Sequence, residues 1–270
     1  MRPGSRWTPT WMPRSTASWT TPARSSERLP RHSHARRRSI QRSGPAGGSG
    51  SIGLTNRDFA AQRERMVEEQ LVRRGIEDQR VLDAMRRVPR HEFVPEGAEP
   101  YAYEDHPMPI GHGQTISQPF IVALMLEAAR IGPEDSVLDI GTGSGYAAAV
   151  AAELGHRVVS IERHPELALT AAATLEALDY RVNVVTGDGT LGWPEGAPFD
   201  VIIAAATGPT LPRAWPEQLT PDGRIVMPVG HPGGAQHLAV FERGADGDLH
   251  ERNLGAVAFV PLVGDDGWRP

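Results

Sequence analysis

The segment Val137-Leu-Asp-Ile-Gly141-Thr-Gly143-Ser-Gly145-Tyr146 constrains this chain more than any other. An apolar run leads into three glycines at alternate positions, and an alanine-rich stretch follows. That order reads as a strand, a tight turn and the start of a helix. The glycines let the backbone turn sharply and approach a ligand closely. A turn of this kind belongs to an open α/β sheet, where ligands gather at the carboxyl ends of the strands.

The surrounding pattern agrees. Short apolar runs occur at residues 136–140, 157–161, 182–185, 199–206, 224–229, 237–241 and 256–262, and helical segments at 145–154 and 166–178 separate the first three. Near-continuous apolar strands alternating with helices predict a parallel sheet covered on both faces. The last three runs have no room between them for a crossover helix, which predicts an antiparallel end to the sheet. Upstream, a helix capped by Thr55 or Asn56 is expected to run to about Arg74 and stop at Gly75. Asp78 can cap a second, with Val81, Leu82, Met85 and Val88 on one face and Pro89 at its end. A third is expected from near Pro119 to about Arg130. Residues 89–118 hold five prolines and three glycines and read as an ordered loop.

Residues 1–56 differ in kind. They hold ten arginines and one acid, Glu27, a balance of +9, so the other 214 residues carry -14 to give the overall -5. Prolines at 3, 9, 13, 22, 30 and 45 oppose a long helix, and residues 43–51 have a flexible-linker composition. The expectation is a disordered extension, 1–56, ahead of a domain at 57–270. An over-long gene reading, with a start near Met66, is a variant of it. Two functional readings stand beside it. The run Arg31-His-Ser-His-Ala-Arg-Arg-Arg38 suits nucleic acid or another polyanion, and an acid-poor Arg/Ser-rich start resembles a transit peptide whose helix the prolines spoil. No stretch approaches the ~18 apolar residues that span a bilayer. The chain has no cysteine, which excludes thiolate metal sites, disulfides and cysteine nucleophiles and agrees with a reducing cytoplasm.

The glycine turn leaves its ligand open. Glu162 ends the next strand 21 residues after Gly141, where an acid can accept from both hydroxyls of a ribose. Asp188-Gly189 ends the third strand on the same edge. A Gly-x-Gly-x-x-Gly reading from Gly141 fails at Tyr146, but from Gly143 the residues Gly-Ser-Gly-Tyr-Ala-Ala148 satisfy the looser dinucleotide form. Asp139 before the turn, Asp188 beyond it and the lack of arginine within it favour a cationic ligand, S-adenosylmethionine, over a pyrophosphate. A nicotinamide-dependent dehydrogenase remains one alternative.

A second signal is the loop Pro109-Ile-Gly111-His-Gly113-Gln114-Thr115-Ile116-Ser117-Gln118-Pro119. On spacing alone Ser117 is preferred as a helix N-cap. No Gly-x-Ser-x-Gly elbow surrounds it, so a hydrolase nucleophile lacks its usual setting. The ten histidines make no metal-ligand pattern, and His106 and His112 are expected as surface or loop-packing residues.

Several segments occur together and in order: Met66-Val-Glu-Glu-Gln-Leu-Val-Arg-Arg-Gly-Ile76, Val81-Leu-Asp-Ala-Met-Arg-Arg-Val-Pro-Arg-His-Glu-Phe-Val-Pro95, Tyr101-Ala-Tyr-Glu-Asp105, Gly113-Gln-Thr-Ile-Ser-Gln-Pro119, the glycine turn, Gly187-Asp-Gly189, Gln218-Leu219 with Pro228-Val-Gly230, and Phe259-Val-Pro-Leu262. In these the chain resembles the protein-L-isoaspartate O-methyltransferase family from about Arg57 to Trp268. The resemblance implies a Rossmann-like S-adenosylmethionine-dependent methyltransferase, with a mostly parallel seven-stranded sheet, helices on both faces and extra N-terminal helices. It implies methyl transfer from S-adenosyl-L-methionine to the free carboxyl of L-isoaspartyl residues in damaged proteins and peptides. Repair then proceeds through a succinimide. Ser117 would be the active-site serine, which reverses the cap-first preference. Gln114, Thr115 and Ile116 would flank the cofactor. Asp139, Gly141, Gly143 and Gly145 would wrap its methionine part, Glu162 its ribose, and Asp188 with Gly189 its adenine side. Phe259, Val260 and Pro261 match a segment near the peptide site. The partners would be isoaspartyl-containing proteins and peptides, not a membrane or nucleic acid, and a cytoplasmic monomer is expected. Two other readings remain: a related enzyme that esterifies ordinary aspartate in a dedicated peptide, and a polyanion-binding protein acting through the arginine-rich tail.

Overall fold

The computed structural model describes residues 56–244 and 246–269. The readings of the tail, as disordered extension, transit peptide, late start or polyanion arm, lie outside these residues.

Helix α1 (Asn56–Met66) continues through a π turn (Val67–Leu71) and a 3-10 turn (Val72–Arg74), and Gly75 ends it at φ 93°. The stop is where the sequence puts it; the π turn carries no sequence signal. Helix α2 (Gln79–Arg87) begins under Asp78, whose carboxylate accepts from the Arg80 and Val81 N–H groups at 2.8 and 3.3 Å. Short 3-10 turns at Arg90–Phe93 and Glu99–Tyr101 follow.

Residues 108–116 are not loop. They form a hairpin of β1 (Met108–Gly111) and β2 (Gln114–Ile116). His112 and Gly113 between them have φ of 51° and 70°. Two successive positive φ values give the two-residue turn that matches strand twist. The strands are only four and three residues long, too short to show an alternating pattern.

Helix α3 (Pro119–Ala129) leads into the main sheet: β3 (Ser136–Ile140), α4 (Tyr146–Ala152), β4 (Arg157–Glu162), α5 (Pro165–Ala177), β5 (Val182–Thr186), β6 (Phe199–Ala204), β7 (Leu219–Gly230), β8 (Gln236–Arg243) and β9 (Leu249–Val257). The order across the sheet is β5-β4-β3-β6-β7-β8-β9, parallel through β7 and antiparallel over β8 and β9. The chain runs outward from β3 to β5, then returns to β6 on its other side. The order therefore reverses between β3 and β6, where ligands bind in such sheets.

Alternate residues divide the core. Val137, Val158 and Val201 pack on one face with side chains from all five α-helices, while Leu138, Val159 and Ile202 pack on the other with Trp215 and Trp193. That second face is covered by 3-10 turns at Gly189–Leu191, Pro194–Gly196 and Pro216–Gln218. Prolines 194, 198, 209, 212 and 216 deny these connections a longer helix.

The last strand is displaced from its expected place. The apolar run 256–262 mostly leaves the sheet, and β9 is the polar stretch before it. The run bonds instead to the loop after β6: Thr207 N–H donates to Val260 O and Leu262 N–H to Thr207 O, both at 2.8 Å. A polar, exposed strand suits a sheet edge, where charge discourages pairing with other chains. Among the described residues no helix is long and apolar enough to cross a membrane.

Candidate active site

The turn after β3 is held at both ends. Gly141 and Thr142 donate N–H bonds to Ile161 O at 2.8 and 3.2 Å, and Gly145 N–H bonds Thr142 O at 2.8 Å. Gly145 has φ 91°, and a Cβ there would meet Leu175 Cδ1 at 3.2 Å, so both conformation and space call for glycine. At the end of β5, a Cβ on Gly189 would stand 2.5 Å from Ile140 Cγ2. Only a bare backbone passes the end of β3 there. Trp215 fixes it from behind by donating its indole N–H to Gly189 O at 3.0 Å.

Two buried acids flank the turn. Glu162 is 4% exposed; its Oε2 accepts from Gly143 N–H at 2.9 Å and its Oε1 from His164 N–H at 3.0 Å. Each oxygen keeps a lone pair for a further donor. Asp139 is 3% exposed and lies beside Ser160 in the β3–β4 register. Ser160 donates to Asp139 Oδ2 at 2.6 Å, and Thr142 Oγ1 lies 2.5 Å from Ser160 Oγ. Burial pushes the Asp139 carboxyl up to about 6, the hydrogen bond from Ser160 opposes this, and the charge of Glu162 adds to it.

The end of β2 leads into Ser117. Ser117 does not cap α3. Gln118 occupies the N-cap position without a side-chain bond, and its carbonyl takes the Ile121 and Val122 N–H groups. The cap-first reading of Ser117 is thereby corrected: Pro119 enters the helix directly after Gln118, which leaves Ser117 one residue too early. Its half-buried side chain lines the central cavity instead. Its carbonyl accepts from Arg90 Nη2 at 2.8 Å. Arg90 is fully buried, donates Nε–H to Ala102 O at 2.7 Å and lies 4.7 Å over the Tyr146 ring. Burial pulls its guanidinium down to about 10, so it stays charged at neutral pH.

The cavity encloses about 790 Å³, its open mouth included. That suits a small organic ligand, for which sites of about 300–1,000 Å³ are usual. Gln114, Thr115, Ile116, Ser117, Gly141, Gly143, Glu162, Gly189, Val260 and Pro261 line it. Four expected residues do not. Asp139 lies beneath the turn, linked to it through Ser160 and Thr142. Gly145 lies behind, against Leu175. Asp188 faces the C-terminal loop: Oδ1 accepts from the Thr190 N–H and hydroxyl at 2.8 and 2.7 Å, Oδ2 from Asp265 N–H at 2.8 Å. Phe259 is fixed away from the cavity by the Gln236 amide, which accepts its N–H at 2.7 Å and donates to its carbonyl at 3.2 Å.

The sequence reading missed Thr142, Tyr146, Arg163 and His164, which also line the cavity. The first two are within the glycine segment and the last two follow Glu162 directly, so adjacency was the available signal. The His164 ring lies 5.4 Å from that of His112 at the hairpin tip. Arg90 was legible only as one letter of the Val-Pro-Arg-His-Glu-Phe run.

The residues fit S-adenosylmethionine by an observation independent of any relative. A buried acid, Asp139, that has no ion pair among the described residues underlies a glycine cradle, and a second, Glu162, lines it with lone pairs to spare. A cationic ligand bearing hydroxyls complements both.

Residues 61–267 match the family model described as protein-L-isoaspartate(D-aspartate) O-methyltransferase. A protein-L-isoaspartate O-methyltransferase of Marinobacter nauticus is 55% identical over 212 residues, 78% of this chain and 97% of that protein. One from Rhodopseudomonas palustris is 54% identical over 211 residues, 78% of this chain and 86% of its own. A solved protein-L-isoaspartate O-methyltransferase superposes with a TM-score of 0.69 at 30% identity, over 76% of this chain and 67% of the other. A Plasmodium falciparum chain described as a beta-aspartate methyltransferase, solved with S-adenosyl-L-homocysteine, gives 0.65 at 25% identity, over 74% and 98%.

Proposed function

Since the chain belongs to the protein-L-isoaspartate(D-aspartate) O-methyltransferase family, we propose that the cavity between Ser117 and the glycine turn is its active site, with the Ser117 hydroxyl orienting the acceptor carboxylate. The enzyme transfers a methyl group from S-adenosyl-L-methionine to the free carboxyl of L-isoaspartyl residues in damaged proteins and peptides. The neighbouring backbone nitrogen attacks the ester carbonyl, methoxide leaves and carries off the N–H proton as methanol, and the resulting succinimide hydrolyses in part to normal aspartate.

When bound, S-adenosyl-L-methionine would supply an electrophilic methyl on a sulfonium, whose transfer leaves an uncharged thioether. The chain's own residues do the rest. The acceptor carboxyl, with a pKa of about 3.3–3.9, is already ionised at neutral pH, so no general base is needed. What remains is alignment of the attacking oxygen and exclusion of water. Ser117 lines the same cavity as the turn, and its hydroxyl can donate to one carboxylate oxygen while the other attacks. Gly141, Gly143 and Glu162 hold the cofactor from the turn side, Gln114, Thr115 and Ile116 from the hairpin side, and Gly189 at the end of β5. Asp139 acts from beneath through its charge. Val260 and Pro261 line the cavity beside Ser117 and receive the peptide, with Phe259 anchoring that segment. Asp188 shapes the adenine end indirectly, through the loop at Asp265.

The observation that carries this reading is that Ser117 is released from capping and lines the same cavity as the glycine turn. Ser117→Ala should lower kcat on an isoaspartyl peptide at least tenfold and leave affinity for S-adenosyl-L-homocysteine within about twofold. An unchanged kcat would refute the role. The same reading takes 57–270 as the catalytic domain, a monomer working in the cytoplasm. The family match over 61–267 supports that limit. Assay and light scattering of a protein that begins at Arg57 test it.

A further inference from the structure

We propose that Arg90 is a positioning residue for methyl transfer, bracing the acceptor loop at Ser117 against the cofactor-binding segment at Tyr146. The inference rests on the reading of Ser117 above. Three contacts carry it. Arg90 Nη2 holds Ser117 O at 2.8 Å, Nε holds Ala102 O at 2.7 Å, and the guanidinium lies 4.7 Å over the ring of Tyr146, the residue after the last glycine of the turn. Ser117, next to the hairpin, and Tyr146, next to the glycine turn, both line the cavity. One rigid, planar group therefore touches both halves that must be brought into line.

The group is costly where it lies. It is fully buried, and its Nη1 has no hydrogen-bond partner among the described residues. A guanidinium taken out of water needs compensation that this site supplies only in part, and an apolar side chain of similar volume would serve packing better. What an apolar side chain cannot do is hold two carbonyls fifteen residues apart in one fixed fork. Lysine cannot either, because its ammonium is a single point on a flexible stem. Fixed geometry is what an in-line transfer demands, and misplacement by about 1 Å can cost ~100-fold in rate.

The test uses Arg90→Lys, Arg90→Ala, Ser117→Ala and the Arg90→Lys/Ser117→Ala double variant, each assayed well below its melting temperature. Arg90→Lys should lower kcat on an isoaspartyl peptide at least tenfold. Its Kd for S-adenosyl-L-homocysteine should stay within threefold of the parent. Guanidinium at millimolar concentration should restore part of the Arg90→Ala rate. If Arg90→Ala does not fold, Arg90→Lys decides alone. The double variant should be hardly slower than the slower single one, because both act on one group. A normal kcat in Arg90→Lys, with only its melting temperature lowered, would make Arg90 a packing residue and overturn the proposal while Ser117→Ala still supports the underlying reading. Additive losses would overturn the claimed route through Ser117. An unaffected Ser117→Ala would overturn both readings.

Discussion

The Gly143 N–H donates to Glu162 Oε2 at 2.9 Å, tying the middle of the glycine turn to the end of the neighbouring strand. One carboxylate thus shapes the cradle and presents lone pairs to its contents. Glu162→Ala should weaken S-adenosyl-L-homocysteine binding about 10- to 100-fold, the equivalent of one or two charge-assisted hydrogen bonds. Isothermal titration measures it; a change under twofold would mean that Glu162 serves the turn alone.

Asp139 makes stability depend on pH in the direction opposite to most carboxylates. Its folded pKa, about 6, lies above its ordinary value. The native state therefore holds a proton that the unfolded chain has lost, and this contribution is full below about pH 4 and gone above about pH 6. Asp139→Asn removes the dependence. The variant's stability relative to the parent should be greater at pH 8 than at pH 4.5, by on the order of 1–3 kcal/mol. Urea melts of the ligand-free proteins at both pH values test this; a relative stability independent of pH would contradict it.

Gly189 and Gly187 make a matched pair. A methyl on Gly189 would stand 2.5 Å from Ile140 Cγ2, whereas one on Gly187 would meet its nearest atom at 3.9 Å. Gly189→Ala should destabilise by about 1–3 kcal/mol and weaken cofactor binding. Gly187→Ala should be nearly silent in both. Thermal melts with and without S-adenosyl-L-homocysteine compare them, and equal behaviour would refute the close-approach argument.

Gln236 anchors the segment assigned to the peptide, through both bonds to the Phe259 backbone. Gln236→Leu should raise KM for an isoaspartyl peptide several-fold and leave Kd for S-adenosyl-L-homocysteine near the parent value. Steady-state kinetics separates the two. A loss of cofactor affinity with an unchanged KM would take this segment out of peptide binding.

Much of the fold is legible because local chemistry and tertiary packing agree. Asp78 caps α2 and Gly75 stops the helix before it, as their side chains dictate. The run 136–140 is a strand at the same residues because it is buried on both faces and apolar apart from its end and Asp139. The failures have physical causes. Past Val257 the run 256–262 bonds to the loop at Thr207 through its backbone and leaves the sheet, and within it only Leu262 is buried. The hairpin at 108–116 is shorter than any alternation that would reveal it. Ser117 is the better cap residue by chemistry, and only three dimensions show that the helix takes its first carbonyl from Gln118 instead. Asp188 lies two residues past the end of its strand, at the start of a 3-10 turn, and which neighbour takes its carboxylate depends on a loop 77 residues away.

The central claim is a carboxyl methyltransferase that acts on isoaspartyl residues through the Ser117 cavity. The most direct measurement is transfer of labelled methyl from S-adenosyl-L-methionine to two peptides that differ only in an isoaspartyl or aspartyl linkage. The account predicts base-labile label on the isoaspartyl peptide and at least a hundredfold less on its partner. Equal labelling of both peptides, or preference for the aspartyl one, would contradict it.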